Sequence, residues 1–140
     1  VGIGDVAGHA YKGFTRENTG NGGQLLLTHN TSANTAACLM LRRAVFEQVK
    51  GFDEKFILAF GDVDLCLRLL EAGYRNVWTP FAELYHYESK TRGYETSPEQ
   101  LARYQNEVVY FKQRWAPFME KGDPYYNPNL TLKREDFGLA

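Results

Sequence analysis

The sequence predicts a single domain of the α/β class, on three observations. Its 140 residues match the usual size of one domain. Hydrophobic residues make up 44% and charged residues 24% of the chain, which is ordinary for a globular protein. Helix-like and strand-like segments alternate through the middle of the chain, as they do in α/β proteins.

Composition argues against several classes of protein. The formal net charge is −1, so there is no electrostatic reason to expect a nucleic-acid partner. No apolar run approaches the ~20 residues of a membrane span, and no signal peptide is visible. The two cysteines, Cys38 and Cys66, lie in separate apolar runs without C-x-x-C spacing. We therefore expect two buried free thiols and, more weakly, a reducing compartment.

The first part of the chain is predicted to be mostly irregular. Glycines recur through residues 1–24, which indicates loop with at most short strands. The apolar run Thr35–Leu41 is too short for a clear helix, and we expect a buried strand. Its small residues Ala36 and Ala37 fit either tight packing against a helix or a floor for a bound ligand. A short helix over Ala44–Val49 should follow.

The clearest helix begins at Asp62. Apolar residues then recur at the spacing of one helical face, which predicts a buried stripe. Its members are Val63, Cys66, Leu67 and Leu70. Gly51 is predicted at the C′ position of the preceding short helix, and Gly73 should end this one.

The last third begins with two extended segments and ends in one long helix. Tyr74–Thr79 and Ala82–His86 are predicted strands. Ser97 is an expected N-cap residue, followed by proline and, three residues on, by glutamine. The predicted buried face of that helix comprises Leu101, Tyr104, Val108, Phe111 and Trp115. Pro117 should stop it, and the final residues are expected to be a free charged tail.

The acidic pair Asp62 and Asp64 is the first candidate for chemistry. As an N-cap, Asp62 could simply bind backbone N–H groups. A helix N-terminus also favours an ionised carboxylate, which a general base requires. Because residues two apart point about 200° apart on a helix, both cannot face one substrate. We assign chemistry to Asp62 and expect Asp64 to pair with Arg68. A metal-binding D-x-D pair is the alternative.

His86 and the segment after it form the second candidate. A lone histidine is often only a hydrogen-bonded residue, but one at a strand end before a cationic loop could bind a divalent metal. Lys90 and Arg92 could stabilise a phosphate leaving group, or could simply be solvated.

Several motifs follow in a characteristic order. In sequence they are Thr35–Leu41, Arg42-Arg43, Phe46, Gly51-Phe52-Asp53-Glu54, residues 62–69, Ala72–Arg75, Pro80, His86–Ser89 and Tyr125–Asn129. This order resembles the C-terminal half of a family 2 glycosyltransferase with the GT-A fold. It is most similar to the bacterial rhamnosyltransferase-like members that build cell-surface polysaccharide. The resemblance implies a short mixed sheet flanked by helices.

The resemblance also implies roles for individual residues. Asp62 would be the base that deprotonates the acceptor hydroxyl, and His86 would complete a site for Mn²⁺ or Mg²⁺. Ser89, Lys90 and Arg92 would cover the diphosphate of a nucleotide-sugar donor. The acceptor, a glycan or lipid-linked saccharide, would contact Thr35, Ala36, Ala37 and Asp64. Transfer would invert the anomeric carbon, in the cytoplasm or at the inner face of the membrane.

Departures from the family pattern keep other functions open. Gly61 stands where the family commonly has Glu, or Asn in this subgroup, and Ala36 replaces a frequent Gly. A non-catalytic carbohydrate-binding or assembly module is therefore an alternative, and a metal-dependent hydrolase using Asp62 and Asp64 is a third. The family's nucleotide-binding half would lie upstream of Val1. We therefore expect residues 1–140 to be inactive alone and to self-associate through the face that this half would cover.

Overall fold

The computed structural model describes residues 1–87 and 97–140. Its α-helices are α1 (Arg43–Gln48), α2 (Gly61–Glu71), α3 (Pro98–Arg114) and α4 (Ala116–Lys121). Its strands are β1 (His29–Thr31) and β2 (Asn76–Trp78), and short 3₁₀ helices span Ile3–Asp5, Asn21–Leu26 and Ala36–Cys38. This mixture of helices and strands confirms the predicted α/β class. Within the described ranges, no helix combines the length and hydropathy needed to cross a membrane.

The sheet is smaller and simpler than predicted. Strands β1 and β2 pair antiparallel, with His29 opposite Trp78 and Thr31 opposite Asn76. The expectation of a mixed sheet is therefore wrong for the described part of the chain. The predicted strand Tyr74–Thr79 is confirmed in its centre, as β2. The predicted strand Ala82–His86 is irregular and exposed.

The predicted buried strand Thr35–Leu41 is wrong. Ala36–Cys38 forms a 3₁₀ turn whose N-cap is Thr35, and the Thr35 hydroxyl accepts a hydrogen bond from Ala37 N. The turn is exposed, and so is the Cys38 thiol, which corrects the expectation that both cysteines are buried. Because side-chain oxygens of Thr35 and Asp62 accept from Ala37 N and Ala36 N, these two N–H groups need no neighbouring strand.

The two middle helices begin or end one residue away from the predicted positions. Helix α1 ends in a Schellman motif, in which Lys50 N donates to Glu47 O (3.0 Å) and Gly51 N donates to Phe46 O (2.8 Å). Lys50 therefore takes the C′ position and Gly51 the next one. Helix α2 has Phe60 as its N-cap, with a left-handed φ of 62°. Asp62 is thus the second residue of the helix rather than its cap.

The predicted start of the long helix is confirmed in detail. The Ser97 hydroxyl accepts from Gln100 N, and the Gln100 side chain accepts from Ser97 N, which forms a capping box. Helix α3 ends at Arg114, and Pro117 lies in the first turn of α4. Proline here begins a new helix because its missing N–H is no loss in a first turn.

The core lies between α2 and α3. Its buried members are Val6, Phe60, Leu67, Phe111 and Trp115. The C-terminal residues are not a free tail, which corrects that expectation. Phe137 stacks on Tyr11 at a ring-centre distance of 4.4 Å, and Leu130 forms a bridge with Leu139.

Candidate functional site

Asp62 lies at the accessible side of the α2 N-terminus. Its side chain is partly exposed. The Oδ2 atom accepts a hydrogen bond from Ala36 N (2.9 Å), and Oδ1 accepts one from Val63 N (2.9 Å). A carboxylate offers about four lone-pair positions, so these two bonds leave acceptor capacity for a ligand. Asp62 is therefore both oriented and available.

The turn at residues 35–38 lies against the start of α2. The bond between Asp62 and Ala36 N joins the candidate base to this turn directly. The structure thus brings four predicted site residues into one place: Asp62, Thr35, Ala36 and Ala37. Their proximity was expected, although we had predicted a strand in place of the turn. Contact of these residues with an acceptor stays a prediction.

Hydrogen bonds hold the residues just before this turn against α2 and β2. Asn34 N donates to Cys66 Sγ (3.4 Å), and Asn34 Nδ2 donates to Val77 O (3.3 Å). Asn76 Nδ2 donates to both Ser32 O and Cys66 O, each at 2.9 Å. Burial raises the pKa of the Cys66 thiol, with a smaller contribution from the nearby Asp62 charge that acts in the same direction. Cys66 is thus the buried free thiol that the sequence predicted.

Asp64 points to the opposite side of α2 and is 0% exposed. Its Oδ2 accepts from Arg68 Nε (2.8 Å), which confirms the predicted i, i+4 pair. Its Oδ1 lies 2.9 Å from Arg114 Nε and 3.1 Å from Trp115 Nε1. Arg68 also donates to Val49 O and Gly51 O, at the end of α1. The Asp64 carboxylate therefore has a structural role, as the partner of these buried groups. Its contact with an acceptor stays a prediction.

The structure does not gather a metal site from the residues it describes. Across residues 1–87 and 97–140, no three His, Cys, Asp or Glu side chains lie close enough to hold one ion. Asp62 and Asp64 point apart, so the D-x-D alternative is wrong. His86 is exposed in an irregular segment rather than at a strand end. Ser89, Lys90 and Arg92 lie outside the described residues.

Two residues that sequence analysis missed position the start of α2. Glu107, on α3, is only 3% exposed, and its carboxylate binds three consecutive backbone N–H groups, those of residues 57–59. Phe60, which follows them, adopts the left-handed conformation. A signal for Glu107 exists in the sequence, because it falls on the apolar face between Tyr104 and Phe111. No sequence pattern signals the conformation of Phe60.

Gly61 leaves space beside the candidate base. A Cβ atom added there would lie 3.5 Å from Phe56 Cβ and 3.6 Å from Phe56 O, which are ordinary van der Waals contacts. Close packing therefore does not require glycine at this position, and there is room for the Cβ atom of a larger residue.

Comparisons with known proteins find similarity to parts of several longer proteins. The chain is 50% identical over 141 residues to the uncharacterized protein y4gI of Sinorhizobium fredii, an alignment that covers 100% of the chain and 15% of that protein. It is 45% identical over 112 residues to the O-antigen biosynthesis protein RfbC of Myxococcus xanthus (80% of the chain, 8% of that protein). It is 34% identical over 80 residues to an N-acetylglucosaminyl-diphospho-decaprenol L-rhamnosyltransferase of Mycobacterium tuberculosis (57% and 26%).

These similarities cover a small part of each relative, since the chain spans 15%, 8% and 26% of their lengths. No protein-family model matches the chain. No solved structure matches it either. The two relatives with functional names nevertheless support a glycosyltransferase-like family for this chain.

Proposed function

We propose that this chain forms the acceptor-side and catalytic-base part of an inverting, family 2 glycosyltransferase with the GT-A fold. The observation that carries the proposal is the placement of Asp62. The carboxylate is partly exposed, oriented by Ala36 N, and adjacent to the turn predicted to line the acceptor side. The names of the two relatives associate such a chain with polysaccharide synthesis.

In the proposed reaction, the donor is a nucleotide-activated sugar and the acceptor is a glycan or lipid-linked saccharide. The acceptor hydroxyl oxygen attacks the anomeric carbon, and its proton passes to the Asp62 carboxylate. The bond from that carbon to the diphosphate oxygen breaks, and the nucleoside diphosphate leaves with the bonding electrons. Attack opposite to the leaving group inverts the anomeric carbon. A carboxylate held by fixed N–H donors suits this base because it needs little reorientation.

The donor side of the site remains a prediction. We assign Ser89, Lys90 and Arg92 to the diphosphate and His86 to a bound Mn²⁺ or Mg²⁺, which would stabilise negative charge on the leaving group. The described residues alone do not form that metal site. We place the reaction in the cytoplasm or at the inner face of the membrane, as the family resemblance implies.

Replacement of the base tests the proposal. The complete gene product is assayed for nucleoside diphosphate release with a panel of nucleotide-activated sugars, including activated L-rhamnose. Asp62→Asn should lower kcat by roughly 10²- to 10⁴-fold, as expected when a general base is lost, while nucleoside diphosphate binding is retained. Glu71→Gln is the matched control, because it makes the same chemical change at an exposed position of the same helix. Equal activity of Asp62→Asn and the control would disprove the assignment.

A second candidate function is a carbohydrate-binding or assembly module without catalysis, and Gly61 favours it. If the wild type transfers no sugar from any donor yet binds glycans, this alternative replaces the first. Gly61→Asn then separates the two further, because the space beside residue 61 accommodates its Cβ atom. Transfer that appears only in Gly61→Asn would show a scaffold that has lost its chemistry.

A further inference from the structure

Glu107 uses its whole carboxylate on one short backbone segment. The Oε1 atom accepts from Ile57 N (3.0 Å) and Leu58 N (3.0 Å). The Oε2 atom accepts from Leu58 N (3.1 Å) and Ala59 N (2.8 Å). The side chain is 3% exposed, so these bonds form away from bulk water. Bonds from neutral N–H groups to a buried carboxylate are among the stronger hydrogen bonds in proteins.

The segment that Glu107 holds leads directly into the candidate base. Ala59 precedes Phe60, whose left-handed conformation turns the chain into α2, and Asp62 follows two residues later. Phe60 O accepts from Asp64 N (2.8 Å), the first bond of the helix. The Phe60 ring packs on Phe111 of α3 at 5.3 Å between ring centres. Residues of α3 therefore fix both the backbone and the side chain at the entry to α2.

The chemistry at this position requires a carboxylate. Three neighbouring N–H donors converge on two oxygens, and glutamine would replace one oxygen with an NH₂ group. That group would face N–H donors and could not accept from them. Because a left-handed φ is costly for a bulky residue, the turn at Phe60 depends on contacts that hold it. Loss of the Glu107 bonds should therefore displace the start of α2 and, with it, Asp62.

We propose that Glu107 is a positioning residue, which acts on sugar transfer by fixing the turn that aims Asp62 toward the acceptor. The proposal rests on the proposed function for its catalytic consequence, but its structural part stands independently. Glu107 would touch neither donor nor acceptor. Loss of the Glu107 carboxylate should lower kcat and weaken the hydrogen bond between Asp62 and Ala36 N. Donor binding should be unchanged.

The test compares three variants of the complete gene product. Glu107→Gln replaces one of the two acceptor oxygens with an NH₂ group, and Glu120→Gln makes the same chemical change at an exposed position of α4. Phe137→Leu lowers stability at the Tyr11 and Tyr126 rings, away from this turn. Glu107→Gln should lower kcat on the order of 10- to 100-fold, the effect of a small misplacement, with an unchanged KM for the donor. Hydrogen–deuterium exchange of peptides covering residues 34–38 should accelerate in that variant alone.

Unchanged kcat and unchanged exchange in Glu107→Gln would overturn the proposal. An equal loss of kcat in Phe137→Leu would also overturn it, because stability alone would then explain the effect. If Glu107→Gln does not fold, the wild type decides. In the wild type, the amides of residues 57–59 should exchange as slowly as those of α2. If they exchange as fast as the amides of residues 81–87, Glu107 is not a positioning residue. Full activity of Asp62→Asn would refute the proposed function, while exchange at residues 34–38 would still report whether Glu107 positions Asp62.

Discussion

The two sides of α2 use the same residue type for opposite purposes. On the side that faces α3, Asp64 is 0% exposed and is bound by Arg68, Arg114 and Trp115. On the side that faces the 35–38 turn, Asp62 is partly exposed and bound by two backbone N–H groups. One carboxylate is saturated by charged and aromatic partners, and the other retains free acceptor positions.

This difference shows how a helix can carry an accessible carboxylate on one side while its other side is held by buried contacts. The α3 side supplies the buried ion pairs and apolar packing that hold α2 in place. The turn side then needs only enough hydrogen bonds to orient Asp62. The predicted pair of Asp64 with Arg68 is therefore confirmed by burial and by its partners, while the chemical role of Asp62 stays a prediction.

Among the variants that test the difference between the two sides of α2, Asp64→Asn should lose the most stability. Removing one charge from a buried ion pair leaves its partners uncompensated and typically costs about 3–5 kcal/mol. We expect the free energy of unfolding to fall by that amount, because two arginines surround the site. Urea denaturation of the purified chain measures the loss. Asp62→Asn is the matched control and should cost less than about 1 kcal/mol. Equal losses in the two variants would remove the distinction between the two sides.

A smaller effect is expected on the turn side from Asn76→Ala. The buried Asn76 amide donates to Ser32 O and Cys66 O, and its loss leaves both carbonyl groups without that donor. Leaving buried polar groups unsatisfied costs about 1–3 kcal/mol. The half-exposed neighbour provides a control, since Val77→Ala should change stability by no more than about 0.5 kcal/mol. Thermal unfolding of both variants checks this expectation, and a larger loss in Val77→Ala would contradict it.

The smallest effect concerns pH and Asp53. A bond from Lys55 N, together with Tyr110 and Arg114, holds the pKa of Asp53 below its ordinary value, although burial acts in the opposite direction. A lowered pKa in the folded state contributes stability above the unfolded-state pKa, and that contribution is lost as pH falls through the folded-state pKa. Asp53→Asn should therefore be less stable than the wild type at pH 7.

The same reasoning predicts that the stability difference shrinks toward pH 3, because the wild-type carboxylate is then increasingly protonated. Urea denaturation at several pH values measures this trend. Glu71 is exposed at the end of α2, so Glu71→Gln serves as a surface control. A difference between Asp53→Asn and the wild type that grows as the pH is lowered would contradict the expected sign.

Local signals in the sequence were sufficient for parts of this fold. The capping box at Ser97, the end of α2 at Gly73 and the pair of Asp64 with Arg68 depend on residues within four positions of each other. Such interactions are set by helix geometry, so spacing alone predicts them. The same is true of the position of Asp62 near a helix start.

The rest of the fold depends on contacts between distant residues. In the turn at residues 35–38, Ala36 N donates to Asp62, which is 26 residues away, and Asn34 N just before the turn donates to Cys66, which is 32 residues away. Glu107 binds residues 57–59 across about 50 positions, and Phe137 reaches back to Tyr11. Periodicity describes one element at a time and contains no information about these partners. Asp62 and residues 35–37, which the sequence singled out, therefore lie together, but the backbone turn that joins them was not predicted.

The accessible thiol of Cys38 offers a place to attach a fluorescent probe beside the candidate site. Cys38 is exposed, whereas Cys66 is buried and burial raises the pKa of its thiol. A maleimide dye should therefore label Cys38 selectively under native conditions, since the thiolate is the reactive form. The dye would sit two residues from Ala36, whose N–H orients Asp62. If the proposed acceptor binds beside Asp62, the fluorescence of the dye should change when saccharide is added, and this measurement needs no assay of turnover.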